Sequence, residues 1–265
     1  MTVYERRMSD DDLEDLKRAR AFLENPSLAV RLTNLVGRPI EASLGVLPLP
    51  IRNRVHALTR IAVQKSLEMA VSTMGDRSLR PSSDGLHKIL AGASGAGGGA
   101  FGILALPVEL PVSTTIMLRS IADIARAEGE DITSYEGKLS CVEVFALGGP
   151  TKGDDGAETG YYAIRAALAK AVSEASSYLM QRGLVDGTAP AVVRLVSQIA
   201  ARFGVVVSEK TAAQALPALG AIGGATINLI FIDHFQEMAR GHFIVRRLER
   251  KYDQDTVRDE YERLT

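Results

Sequence analysis

The sequence predicts an all-α fold, a bundle of long packed helices with two Gly/Ala-rich helical hairpins at its centre. Three segments repeat apolar residues at helical spacing, which is typical of amphipathic helices. Two other runs, residues 89–108 and 211–232, are uncharged and rich in glycine and alanine. Alternating β-branched residues bounded by turn signals are absent, and "GVVVSEK" (residues 204–210) is the only short piece typical of a strand.

The first two amphipathic helices are predicted in the N-terminal part of the chain. Ser9 and Asp12 have the spacing of a capping box, and apolar residues then recur up to the sequence "NPS", namely Leu13, Leu16, Ala19 and Leu23. From Pro50, the segment "IRNRVHALTRIAVQKSLEMAVSTM" has one apolar face, made of Val55, Leu58, Ile61 and Ala62. Each segment is therefore expected to pack on the bundle through one side.

A third amphipathic helix is expected between Asp154 and Gly183. Its apolar stripe consists of Ile164, Leu168, Ala171, Ala175 and Tyr178. The preceding sequence "GGPTKGDDG" is rich in turn residues and is the best candidate for an internal boundary. Residues 117–126 and 231–240 resemble each other at a constant offset, which indicates either a weak internal duplication or chance similarity between two apolar helices.

Composition excludes several classes of protein. The 265 residues include 31 Lys and Arg against 32 Asp and Glu, and no Trp, so the chain lacks the basic surface and stacking aromatics of a nucleic-acid-binding protein. Cys141 is the only cysteine, which excludes an internal disulfide and a cysteine-based zinc site. The charged N-terminus has no apolar signal segment, so we expect a cytoplasmic protein, and nothing in the sequence predicts a cofactor.

The run "HKILAGASGAGGGAFGILALPVELP", residues 87–111, allows three interpretations. A phosphate-binding loop requires a preceding strand and usually a following Lys-Ser/Thr, and neither is predicted here. A membrane segment fits the uncharged length, close to the ~20 residues that cross a bilayer, but glycine and alanine contribute little transfer energy. Small residues also let helices of soluble bundles pack closely, which favours the centre of a helical domain. The last two interpretations stay open.

Basic residues flank both uncharged runs. They are Arg77, Arg80 and Lys88 before the first run, and Arg240, Arg246, Arg247, Arg250 and Lys251 after the second. Such clusters suit an anionic membrane surface. Glu249, Asp253 and Asp255 interleave with the second cluster, so an ordinary solvated helix explains it equally well.

Three longer stretches resemble the EcsC family: "GLHKILAGASGAGGGAFGILALPVELPVSTTIMLRSIADIARAEGEDI", "LSCVEVFALGG" and "LPALGAIGGATINLIFIDHFQEMARGHFIVRRLERKYD". The family takes its name from a protein encoded beside a bacterial ABC transporter. The resemblance therefore implies an association with transport, secretion or the membrane, and it implies no established enzymatic activity. It also suggests three parts: N-terminal amphipathic helices in residues 1–75, an EcsC-like helical domain in residues 76–255 and a C-terminal tail in residues 256–265.

Four charged residues in apolar surroundings are candidate ligand-binding residues, namely Glu109, Arg119, Asp123 and Glu143. Arg119 and Asp123 lie at i and i+4 on one helix face. Because a buried charge is costly unless it is paired, we expect Arg119 to pair with Glu143, Asp123 or Asp233 and to fix the helix register. Alternatively, Glu109, Arg119 and Glu143 line a pocket that orients the head group of an amphiphile.

The sequence "FIDHFQEMARGHF" contains a candidate metal site. His234 and Glu237 are metal-capable side chains at i and i+3 on a helix. His242 lies about 80° around the helix from His234, so one face cannot present all of these groups. Without an H-E-x-x-H motif, a polar helix face is the simpler interpretation.

These features predict a cytoplasmic, membrane-associated helical protein without catalysis, bound peripherally at the inner face of the membrane. We expect it to bind an apolar or amphiphilic small molecule, the membrane surface, or a membrane partner such as an ABC transporter. One alternative is a metal-dependent hydrolase that uses Glu109, Glu143 or the group of Asp233, His234 and Glu237. The other is a structural module that docks onto another protein.

Overall fold

The structure is a computed structural model, and it describes residues 8–24, 28–37, 49–74, 106–149, 160–183, 189–214 and 220–264. Within these ranges 90% of the residues are helical and no strand is present, which confirms the prediction of an all-α bundle. Most of the run 87–111, most of the "GGPTKGDDG" turn, and the basic residues Arg77, Arg80 and Lys88 lie outside the described residues. The central hairpin predicted from the first Gly/Ala-rich run therefore stays a prediction.

The described helices are, in chain order, α1 (Asp10–Leu23), α2 (Leu28–Val36), α3 (Leu49–Thr73), α4 (Leu106–Ala127), α5 (Tyr135–Leu147), α6 (Tyr161–Arg182), α7 (Pro190–Gln214), α8 (Gly220–Tyr252) and α9 (Gln254–Arg263). Helix α8 has 33 residues. It packs against α1, α2, α4, α5, α7 and α9. The long helix α8 is therefore the central element of the described bundle.

Helix α1 begins at the predicted capping residue. Ser9 Oγ accepts a hydrogen bond from the backbone nitrogen of Asp12 at 3.3 Å, and three aspartates occupy the first turn. The side-chain acceptor satisfies a free N–H group, and the negative charges stabilise the positive end of the helix dipole. Leu16 and Ala19 are buried, as predicted, and α1 packs on α8.

Gly241 of α8 allows the close approach of α1. A Cβ at this position would lie 2.6 Å from Leu23 Cγ and 2.8 Å from the carbonyl oxygen of Ala19. Gly241→Ala is therefore expected to push α1 away and to lower the free energy of unfolding by about 1–3 kcal/mol, the usual cost of overpacking. Urea denaturation measures this loss. Gly160→Ala is the control, because a Cβ there meets nothing within 4 Å, and equal stability of both variants would contradict the α1–α8 contact.

The apolar stripes predicted for α3 and α6 are confirmed with one exception. Val55 and Ala62 of α3 are buried, as are Ile164, Leu168, Ala171 and Ala175 of α6. Ile61 was assigned to the same face but is 47% exposed. At about 100° per residue, Ile61 lies roughly 120° around the helix from Val55, which turns it away from the core.

The interpretation of the segment just before the second uncharged run as strand-like is wrong. Residues 204–210, the strand-like piece, continue helix α7, with Val206 and Val207 both buried. A short apolar run is compatible with a buried helix as well as with a buried strand, so its composition did not distinguish them. Within the second uncharged run, residues 211–214 belong to α7 and residues 220–232 belong to α8, and residues 215–219 lie outside the described residues.

The C-terminal segment packs on the bundle. Helix α9 covers most of the tail predicted for residues 256–265, and its residues Val257 and Tyr261 are buried. The Tyr261 ring lies 5.4 Å from the ring of Tyr162, centroid to centroid. Arg20 of α1 donates a hydrogen bond to the carbonyl oxygen of Tyr261 at 3.0 Å. The first and last described helices therefore contact each other.

Contacts between distant residues define the direction of each central helix. Lys138, in the first turn of α5, donates to the carbonyl oxygen of Val71 near the end of α3, at 3.1 Å. His56, near the start of α3, lies against Gly204 of α7, and Arg202 donates to a carbonyl in the last turn of α5 at 2.7 Å. Helix α3 therefore runs antiparallel to α5.

Helix α8 is also antiparallel to α5, because His234 contacts Gly148 at the end of α5 and Arg246 pairs with Glu136 at its start. Helix α7 in turn is antiparallel to α8, since Phe203 contacts Phe235 and Lys210 contacts Phe231. Helix α3 therefore begins at the end of the bundle where α7 finishes.

Candidate functional site

A buried ion pair joins the start of α4 to the end of α7. Lys210 Nζ lies 2.7 Å from Glu109 Oε1, and the two side chains are 0% and 3% exposed. Gln214, one turn further along α7, directs its amide nitrogen to both carboxylate oxygens at 3.3 and 3.4 Å. The ring centroid of Phe231 in α8 lies 4.6 Å from Nζ. The ammonium is thus held between one carboxylate and one aromatic ring.

The sequence pattern indicates Glu109 as a candidate ligand-binding residue but does not indicate its partner Lys210. Burial lowers the pKa of Lys210, and the charge and hydrogen bond of Glu109 oppose this shift. Lys210 lies within the run mistaken for a strand. Its neighbours at helical spacing, Val206 and Ala213, are apolar, and this pattern on a helix places the lysine on the buried face.

Three large apolar side chains are exposed where α3 and α4 begin. Leu49, the first residue of α3, is 69% exposed, and Val108 and Val112 of α4 are 73% and 45% exposed. Val108 directly precedes Glu109, so an exposed valine and the buried ion pair lie in the same helical turn. Leu49, Val108 and Val112 are called the apolar end below.

Four exposed residues of α3 are basic and lie on several sides of the helix, since Arg52 and Arg54 are roughly 160° apart around it at about 100° per residue. Arg52, Arg54, Arg60 and Lys65 are exposed, and α3 contains no Asp or Glu before Glu68. None of these four cations forms an ion pair within the described ranges. They are called the basic strip below. Arg52 and Arg54 lie within about 8 Å of Leu49 along the helix axis, so the strip adjoins the apolar end.

The cations near the end of α8 are neutralised by acidic neighbours. Arg246 and Arg250 pair with Glu130, Arg247 pairs with Asp15 and Glu128, and Lys251 pairs with Asp12. These acids belong to α1 and to the turn after α4. These ion pairs support the interpretation of the basic cluster after the second uncharged run as part of an ordinary solvated helix rather than as a membrane contact.

Comparison with known proteins identifies the family. The sequence model of the EcsC protein family matches residues 51–248, most of the chain. The chain belongs to the EcsC family. No curated protein and no solved structure matches it. The EcsC match includes the basic strip, the apolar end apart from Leu49, and the buried pair, so these features lie in the family's own part of the chain.

In this EcsC chain, the predicted ligand-binding residues lie in different surroundings. Glu109 lies at the apolar end, whereas Glu143 is buried in α5, where the charges of Arg165 and Arg246 act on it. Arg119 is exposed on α4, so the expected buried ion pair of Arg119 is wrong. The apolar residues around Arg119 in the sequence did not show which side of the helix faces solvent.

Arg119 instead continues the exposed side of α4. At about 100° per residue, Val108, Val112 and Arg119 fall within roughly 40° of one another around the helix. Asp123, one turn further, pairs with Arg126 at 2.9 Å. The exposed side of α4 thus changes along its length from apolar to charged.

Glu143 is a buried acid with a shifted titration. Its residue surface is 5% exposed. Burial raises the pKa of Glu143 from 4.5 to about 6, although the charges of Arg165 and Arg246 lower it. The folded chain therefore keeps the proton of Glu143 to a higher pH than the unfolded chain does.

Glu143→Gln is expected to raise the free energy of unfolding at pH 8 by roughly 2 kcal/mol. Glutamine mimics the uncharged acid, and the rise in the Glu143 pKa from 4.5 to about 6 corresponds to about this free energy. Below pH 4.5 the gain should vanish, since the acid is then protonated in the folded and the unfolded chain. Urea denaturation at both pH values measures the difference. A destabilised variant at pH 8 would show that Arg165 or Arg246 requires the charged form.

The residues of the predicted metal pair have separate partners. His234 Nε2 lies 2.8 Å from the carbonyl oxygen of Gly148, and Glu237 forms an ion pair with Arg31 of α2. In the part of the chain that the structure describes, no three His, Cys, Asp or Glu side chains form a group that could hold a metal. His234 and Glu237 therefore attach α8 to the end of α5 and to α2.

Proposed function

We propose that this EcsC chain is a cytoplasmic protein that binds peripherally to an anionic membrane surface through its apolar end. The main support is the position of exposed Leu49, Val108 and Val112 beside arginines that have no ion pair in the described ranges. Apolar side chains at a bilayer interface are buried at the acyl boundary, and neighbouring arginines contact anionic head groups. A surface for nucleic acid would combine such cations with stacking aromatics instead.

The length of α4 suits an interfacial position. Val112 and Arg119 are about 10 Å apart along the helix axis. Interfacial segments bury apolar side chains roughly 5–10 Å into the boundary between head groups and acyl chains. If Val108 and Val112 lie at that depth, Arg119 lies about 10 Å further from the bilayer centre, at the level of the head groups. Arg119 then keeps the role of a head-group contact on the surface rather than in a pocket.

Among the described residues, one helix is a candidate for a membrane-spanning helix. Helix α7 is long and apolar enough to cross a membrane, but half of its most apolar stretch is buried inside the bundle. Its fully buried Lys210 pairs with Glu109. A charge in the centre of a bilayer is costly, so the peripheral arrangement is the one we propose.

Vesicle sedimentation tests the charge contribution. Each arginine near an anionic surface contributes about 1 kcal/mol, so Arg52, Arg54 and Arg119 together should favour phosphatidylserine-containing vesicles over phosphatidylcholine by roughly 100-fold. Arg52→Glu with Arg54→Glu should abolish most of this preference. High salt should weaken binding of the wild type in the same direction.

A second pair of variants tests the apolar contribution. Val108→Asp with Val112→Asp should abolish sedimentation, whereas Met180→Asp should not, because Met180 is 65% exposed on α6, outside the apolar end. Unchanged binding of the double valine variant would contradict the proposal. Binding to native membranes without binding to lipid vesicles would instead indicate a membrane protein, such as a transporter, as the partner.

A further inference from the structure

The buried pair lies beneath the apolar end and is costly to maintain. Removing two charges from water commonly costs as much as their attraction returns, so such a pair adds little net stability. Lys210 is nevertheless fully buried. Its partner Glu109 directly follows the exposed Val108 in α4. A cation in this position can recognise an anionic group that arrives through the apolar end.

The ammonium of Lys210 has capacity for another acceptor. It carries three N–H groups. One is directed to Glu109 Oε1 at 2.7 Å, and the ring of Phe231 lies on another side at 4.6 Å. Among the described residues, no second oxygen contacts Nζ. An incoming anion can therefore be accepted, provided that the total charge of this buried site stays the same.

We propose that Lys210 binds the carboxylate of a single-chain fatty acid whose alkyl chain extends towards the apolar end. The acid arrives uncharged, its O–H bond breaks and the proton moves to a carboxylate oxygen of Glu109. The fatty-acid carboxylate then accepts a hydrogen bond from Lys210 Nζ. One O–H bond breaks and one forms, so the site retains one cation and one anion.

The charge balance favours a carboxylate over a phosphate. A fatty acid brings one proton together with its single negative charge, so the transfer of that proton to Glu109 leaves the total charge of the site unchanged. A phosphate monoester would bring about −1.5 to −2 charges into a site without solvent exposure. The inference rests on the proposed function in one respect, since the membrane at the apolar end supplies the fatty acid.

A stearic acid with an anthroyloxy fluorophore on its chain, and the methyl ester of the same probe, test this inference on the full-length chain. The acid should bind at least tenfold more tightly than the ester. The variant Glu109→Gln/Lys210→Met, which keeps the site uncharged and so folded, should bind the acid at least tenfold more weakly. Lys138→Met is the matched control, because Lys138 is also buried but donates to the carbonyl oxygen of Val71. Its affinity should equal that of the wild type.

The remaining outcomes separate the two proposals. Equal binding of acid and ester, or unchanged binding by the double variant, would overturn the role of Lys210. Displacement of the probe by dodecyl phosphate as readily as by dodecanoate would overturn the assignment to a carboxylate. Vesicle sedimentation of the wild type without probe binding would overturn this inference and leave the proposed function standing. The double variant should still sediment with anionic vesicles, since its apolar end and basic strip are intact.

Discussion

Lys210→Met is expected to lower the free energy of unfolding by about 3–5 kcal/mol. The variant leaves the carboxylate of Glu109 in a site that is 3% exposed, where the amide of Gln214 is its remaining polar partner among the described residues. Breaking a buried pair on one side costs about this much, because the remaining charge is neither solvated nor paired. Urea denaturation at pH 7 measures the loss.

Two further variants show whether the pair itself is responsible. Glu109→Gln/Lys210→Met removes both charges and should recover most of the lost stability, to within about 1 kcal/mol of the wild type. Lys138→Met loses a hydrogen bond to a backbone carbonyl and should cost only about 1 kcal/mol. If the double variant were as unstable as Lys210→Met, the loss would come from packing rather than from an unpaired charge.

Acidification between pH 6.5 and 4.5 is expected to destabilise the fold through two buried histidines. Burial lowers the pKa of His234 from 6.5 to about 4 and lowers the pKa of His242 well below its usual range. His242 is fully buried, with Nδ1 2.8 Å from the hydroxyl of Tyr161. Below pH 6.5 the unfolded chain binds protons that the folded chain excludes. Each histidine therefore contributes its full stabilisation above pH 6.5. Below pH 6.5 the free energy of unfolding falls by about 1.4 kcal/mol per pH unit for each histidine.

Glu143 acts in the opposite direction over part of this range. Its raised pKa of about 6 means that the folded chain binds a proton before the unfolded chain does, which adds stability as the pH falls from 6 to 4.5. Between pH 6 and 4.5 the free energy of unfolding should fall by about 1.4 kcal/mol per pH unit, because the gain from Glu143 offsets the loss from one of the two histidines. His234→Gln should reduce this slope to near zero. His56→Gln, at an exposed site on α3, should leave the slope unchanged, and equal slopes for both variants would contradict the titration of a buried His234.

Local sequence patterns predicted the helices well where one face meets the core. The capping residue Ser9 and the stripe of α6 depend only on neighbours within a few turns, and both are confirmed. Residues 204–210 and Ile61 were misjudged because their assignment depends on which other helices surround them. Periodicity predicts which side of a helix is apolar, but the neighbouring helices determine whether a residue at the edge of that side is buried.

The candidate site was only partly predictable for the same reason. Glu109 was selected because it is a lone charge in an apolar run, and the structure places it in a buried pair. Its partner Lys210 lies 101 positions away in the chain, and no local pattern joins the two. Arg119 was expected to be buried because its neighbours are apolar, yet Val108 and Val112 on its side of the helix are exposed. Exposed apolar residues of this kind mark an interaction surface only once the fold is known.

Site-specific labelling is the most direct test of membrane binding through the apolar end. The chain has one cysteine, Cys141, which is buried, so a Cys141→Ala background allows a fluorophore at Val108→Cys or at Met180→Cys. We predict that anionic vesicles shift the emission of the label at position 108 to shorter wavelength, and that lipids with brominated acyl chains quench it. The label at position 180 should show neither change. Identical spectra at position 108 with and without vesicles would contradict the proposed function.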